Sequence, residues 1–120
     1  MKVAVIAFAG AAGALCRYGL GVAIGVRSFP WTTLGINLTG SLLLGFIVAF
    51  STERGWSSTT TLPITIGFLG AYTTFSTFSY EAFKMIDNDR AAAAMAYIVA
   101  SVFGGVLLAA AGYAAARRLA

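Results

Sequence analysis

Four long apolar runs fill almost the entire chain, and that pattern leaves few folds open. They extend from about Val3 to Val26, Trp31 to Ser51, Leu62 to Met85 and Ala91 to Ala116. A helix that crosses a bilayer needs about 20 mostly apolar residues, and each run meets that length. The sequence has 120 residues, of which 59% are hydrophobic and 10% charged. A soluble domain carries about 25% charged residues, and so small a chain in water would need more polar surface than this one has. The expected fold is therefore all-α, a single domain of four transmembrane helices covering residues 1–120.

Short connections separate the runs: Arg27-Ser28-Phe29-Pro30, then Thr52 to Thr61, then Asp87-Asn88-Asp89-Arg90. Such loops predict that consecutive helices are antiparallel neighbours. Asn88 or Asp89 is placed to cap the fourth helix. The first run follows Lys2 as a signal peptide would, but its length, Arg17 and its glycines favour a retained span.

The composition also excludes chemistry. There is no histidine, and the four acids, Glu53, Glu81, Asp87 and Asp89, are dispersed. Nucleophile–His–acid catalysis and an ordinary carboxylate metal cage are ruled out, so no enzyme is expected. Cys16 stands alone and can form no intrachain disulfide. The net charge of +4 comes from residues near segment ends, which suits lipid headgroups rather than nucleic acid. Lys2, Arg54, Arg117 and Arg118 fall on one side, Arg27, Lys84 and Arg90 on the other. With so little positive-inside bias, both insertion orientations are open. Two opposed copies would then make an antiparallel homodimer.

Polar groups within the runs point to function, because lipid tolerates them only when paired or facing water. Arg17 either snorkels to the interface or draws anions into a vestibule. Thr33, Asn37 and Ser41 share a face, as an interhelical bond or as a donor stripe along a polar path. Tyr97 and Ser101, with Gly105 next, line up in the same way on the fourth run. Gly21-x-x-x-Gly25 and Gly104-Gly105 offer close helix contacts. In the third run, GFLGAYTTFSTFS (Gly67–Ser79) combines two glycines with a dense hydroxyl run. It makes a poor continuous helix, and a break is expected from Gly70 to Thr74. Bared carbonyls there would suit a hard cation, and bared amides an anion. Phe75 and Phe78 follow on one face, as core packing or as electropositive ring edges for a small anion.

These motifs are where a resemblance enters. GALCRY (Gly13–Tyr18), the stretch from Pro30 to Gly45 around Asn37, and GFLGAYTTFSTFS together resemble the Fluc (CrcB) family of small fluoride channels, over essentially the whole length. Thr32, Leu69–Ala71 and Gly105 depart from its pattern. The resemblance implies an antiparallel, dual-topology homodimer in the bacterial inner membrane that lets fluoride out passively. It implies a structural Na⁺ held by the carbonyls of Gly70 and Thr73. It implies a pore past Asn37, Thr74, Phe75, Phe78, Tyr97 and Ser101, with Arg17 and Glu81 at the vestibule. The rival is a four-helix, proton-coupled multidrug exporter. That chemistry calls for a carboxylate in the first helix, where this chain has only Arg17.

Overall fold

The computed structural model describes residues 1–120 and is helical throughout, with no strand. The order is α1 (Lys2–Ile24), α2 (Trp31–Glu53), α3 (Ser58–Leu62), a π-helical stretch (Pro63–Leu69), α4 (Gly70–Tyr72), α5 (Phe75–Asp87) and α6 (Ala91–Leu119). Helices α1, α2 and α6 are long and apolar enough to cross a membrane. The 23 residues of α1 or α2 extend about 35 Å, against a hydrocarbon core of about 30 Å.

The third segment is built from pieces. It starts at Ser58, earlier than the apolar run indicates, and ends at Asp87. Pro63 cannot donate to the carbonyl one α-turn back, and the hydrogen-bond register widens from there. Gly70 N–H reaches the Thr65 carbonyl, five residues earlier. The helix then stops at Tyr72. Thr73 (φ −79°, ψ 160°) and Thr74 (φ −151°, ψ 116°) are extended, and α5 begins at Phe75. The break is therefore narrower than the sequence suggests, because Gly70 keeps helical angles (φ −63°, ψ −34°).

Packing corrects the expectation that consecutive helices are the main neighbours. Helix α2 packs chiefly on α6, and α1 on the π-helical stretch and α4. Both pairings are parallel: Leu38 faces Gly104, Ser41 faces Gly105, and Gly45 faces Ala109. Likewise Gly13 faces Phe68, and Arg17 reaches Ala71. Glycine allows this. A Cβ on Gly45 would collide with the Ala109 carbonyl, and one on Gly112 with the Leu42 carbonyl. A Cβ on Gly13 would strike the Phe68 carbonyl, and one on Gly67 would lie 2.8 Å from the Ile6 oxygen. Backbones in contact maximise dispersion where lipid supplies no hydrophobic drive.

The expected pair Gly21 and Gly25 makes no such approach. Gly21 has open space around it, and Gly25 ends α1 with φ 72°. Neither Asn88 nor Asp89 caps α6. The N-cap position falls on Arg90, and Asp89 takes its place in the turn at φ 58°. The Arg90 guanidinium instead donates to the Ser28 carbonyl, tying the first loop to the third.

Only 17 of 120 residues are buried, so one copy forms a thin interior and leaves its clefts open at the side. The larger buried cluster joins Leu34, Phe78, Ala82, Met85, Ala94 and Tyr97, from α2, α5 and α6. A smaller one joins Ile36, Leu69 and Tyr72 on the other side of the break.

Gly45→Ala is expected to lower stability by about 1–3 kcal/mol or more, since backbone must move to admit a methyl group. Gly19→Ala, in open space, is expected to be neutral or to stabilise by up to about 1 kcal/mol. Thermal unfolding midpoints in detergent check the contrast.

Candidate functional site: the break in the third segment

Opening a helix inside a membrane frees peptide groups that lipid cannot satisfy, so the site is best built from their partners. Asn37, on α2, supplies the main one. Its Nδ2 donates to the Thr74 carbonyl at 3.0 Å, and its Oδ1 accepts the Thr74 N–H at 2.8 Å. A side-chain amide carries the same donor and acceptor as a peptide, so one residue pairs with both groups at once. Gly40, one turn along α2, makes room: a Cβ there would overlap the Thr73 methyl. The Thr74 hydroxyl then accepts the Thr77 N–H at 3.3 Å, capping α5.

On the other side of the break, Arg17 Nε donates to the Ala71 carbonyl at 3.2 Å. The guanidinium thus sits at the C-terminal end of the helical run, where the dipole favours a cation. No backbone N–H from beyond the break returns to the carbonyls of Gly70, Ala71, Tyr72 or Thr73, and of these four Ala71 is taken by Arg17. The Thr74 N–H that would ordinarily return to Gly70 goes to Asn37, and Thr73 accepts no backbone hydrogen bond.

A cleft of about 420 Å³ opens beside the break, between α2 and α6. Of the residues singled out from sequence, Asn37, Gly70, Thr73, Thr74, Phe75, Phe78 and Ser101 all line it. The Phe75 and Phe78 rings lie 5.7 Å apart and tilted by 52°. Phe78 is 8% exposed and belongs to the core, whereas Phe75 is 79% exposed and projects from the open side. Ser101 Oγ is the one buried side-chain polar atom without a hydrogen-bond partner. Thr65, on the π-helical stretch, also faces the cleft, and nothing in the sequence periodicity marked it.

Tyr97, Glu81 and Arg17 lie outside that cleft. Tyr97 is fully buried, and its hydroxyl donates to Glu81 Oε2 at 2.7 Å. Thr33 donates to Glu81 Oε1 at 2.9 Å. These three tie α2, α5 and α6 together beyond Phe78, whose ring meets Tyr97 edge-on at 5.1 Å. Glu81 also forms part of a smaller polar hollow of about 200 Å³ with Arg27, Lys84 and Arg90 around it. The carboxylate therefore stands between a basic mouth and the aromatic pair. A Tyr72–Thr39 hydroxyl contact of 3.0 Å, absent from the sequence reading, holds the end of α4 to α2.

A sequence profile of the family described as "CrcB-like protein, Camphor Resistance (CrcB)" matches residues 4–113. The chain belongs to the CrcB family. It is 47% identical over 116 residues to a protein of Geobacillus kaustophilus named "Fluoride-specific ion channel FluC 2", covering 93% of this chain and 90% of that one. It is 42% identical over 110 residues to a protein of the same name from Clostridium acetobutylicum, covering 89% and 91%. "Fluoride-specific ion channel FluC" of a Thermus thermophilus strain is 40% identical over 112 residues, covering 90% and 87%. With its apolar spans, this CrcB chain is a multi-pass membrane protein.

Asn37→Ala would strand both peptide groups of Thr74, each worth about 1–3 kcal/mol when buried unpaired. The expected result is a marked fall in the unfolding midpoint and faster amide exchange at Thr74. Asn37→Asp, which can accept but not donate, should fall between. Hydrogen exchange read by mass spectrometry over the peptide spanning residues 70–78 checks both.

Proposed function

We propose that this protein is a fluoride channel, letting F⁻ leave the cell passively across the membrane. The observation that carries the reading is the cleft beside the break. There Ser101, whose hydroxyl is buried without a partner, and the tilted rings of Phe75 and Phe78 line one space. The relatives' names supply the ion. Neutral hydroxyl donors and electropositive ring edges suit a small anion stripped of water. They carry no full charge that would trap it, and conduction requires release as well as binding. Hydrogen fluoride crosses lipid uncharged, ionises inside and accumulates, and a passive anion path relieves it with no catalysis or energy coupling.

The open side of the cleft and the exposed Phe75 support assembly of two copies, because a path needs walls all round. The near balance of end charges supports antiparallel insertion. In such a dimer the two breaks would approach the axis. The free carbonyls of Gly70 and Thr73 from both copies then fit a hard monovalent cation such as Na⁺, which prefers oxygen ligands. Such an ion would brace the interface. The chain's own residues do the rest: Asn37 and Thr74 fix the start of α5, Phe75 and Phe78 line the path, and Ser101 donates to the ion. Tyr97 positions Glu81, and Arg17 holds the end of α4 while its remaining N–H groups attract anions.

Purified protein in liposomes is expected to release F⁻ on addition of a K⁺ ionophore, read with a fluoride electrode. Equal Cl⁻ release would refute selectivity. Phe75→Ile is expected to slow F⁻ release roughly two- to tenfold, the range of an aromatic edge contact. Unchanged flux would remove that ring from the path.

A further inference from the structure

We propose that the Ser41 hydroxyl is an anion donor at the junction of two clefts, where a halide passes from the central cleft into a second one along the α2–α6 seam. This rests on the fluoride-channel reading above. The second cleft, about 540 Å³, lies between the same two helices and ends at Tyr113. Only Ser41 and Leu44 line both spaces. Leucine offers an anion nothing, so any ion moving between the clefts has a single side-chain donor at the crossing. The second cleft has no charged residue in its lining, so its side-chain donors are Ser41 and Tyr113.

The hydroxyl is free for that role. A serine or threonine within a helix ordinarily bonds a carbonyl of the preceding turn. Thr39, Thr52, Thr65 and Ser79 all do so here, to carbonyls four residues back. Thr33 and Asn37, on the same face of α2 as Ser41, are engaged with Glu81 and Thr74. Ser41 alone on that face takes part in no hydrogen bond within the chain and is half-buried. Opposite it α6 places Gly105, which has no side chain to cover the hydroxyl. A Cβ there would lie 3.5 Å from Ser41 Oγ, an ordinary contact. One turn before Gly105 on α6 is Ser101, the buried hydroxyl without a partner. Two unspent donors thus face the seam from opposing helices at neighbouring levels, and a dehydrated halide can be handed from one to the other.

The test is electrode-monitored F⁻ efflux from liposomes. Ser41→Ala is expected to slow efflux about tenfold or more, the effect of losing one hydrogen bond to a charge. Ser41→Thr should stay near wild type. Adding Gly105→Ser to Ser41→Ala should restore much of the flux, because the new hydroxyl enters the same gap from the other wall. The unfolding midpoint of Ser41→Ala should match wild type, since no internal bond is lost. Wild-type flux in Ser41→Ala, or a folded double variant that is not rescued, overturns the proposal. An inert wild-type protein would instead overturn the channel reading.

Discussion

The pairing of one side-chain amide with both backbone groups of a single residue underlies the rest of the architecture. Two adjacent extended residues in the middle of a span would ordinarily leave a donor and an acceptor unsatisfied in hydrocarbon. Asn37 meets both on Thr74. Once that unit is fixed, α5 can begin at a defined place with its own threonine cap, and Phe75 and Phe78 are carried to the cleft. The same bond takes the Thr74 N–H away from Gly70, leaving that carbonyl without its usual partner. Satisfaction on one side of the break thus creates availability on the other.

The parallel pairing of helices gives this clamp a rigid seat. Helices α2 and α6 touch backbone to backbone at Gly45 and Gly112, and α1 meets the third segment at Gly13 and Gly67. Contacts that close do not slide by fractions of a turn, because interiors are close-packed and side chains fit only in register. Asn37 is therefore held at the level of Thr74, and Arg17 at the level of Ala71. The charged pairs elsewhere are peripheral by comparison. Lys84–Asp87 and Arg117–Glu53 are solvent-exposed, where water screens the attraction and the pairs add little.

Much of this was legible in the sequence, for physical reasons that also explain the rest. Spans can be read because hydrocarbon thickness sets their length, and the break because glycines and clustered hydroxyls weaken a helix. Most residues around the cleft were visible as polar groups out of place. Helix pairing was not, since a glycine contact depends on which face meets which partner. Gly21 and Gly25 have the spacing yet face open space and a turn, while Gly45 and Gly112, far apart in sequence, make the contact. Spacing also could not separate Tyr97 from Ser101. They lie one turn apart on α6, but one hydroxyl is consumed by Glu81 and the other is not. Thr65 was hidden because it sits in π-helical backbone, where an α-helical period assigns the wrong face.

That wide stretch, Pro63–Leu69, carries a consequence of its own. Its bonds span five residues where an α-helix spans four, so it stores a residue more than its length requires. Loss of one residue there would let the ladder relax to the α form and swing everything upstream around the axis, while Thr73, Thr74 and Asn37 kept their places. Because Gly67 in this stretch is seated against α1, that swing would also break the backbone contact there, so the wide register and the glycine seat hold each other in place.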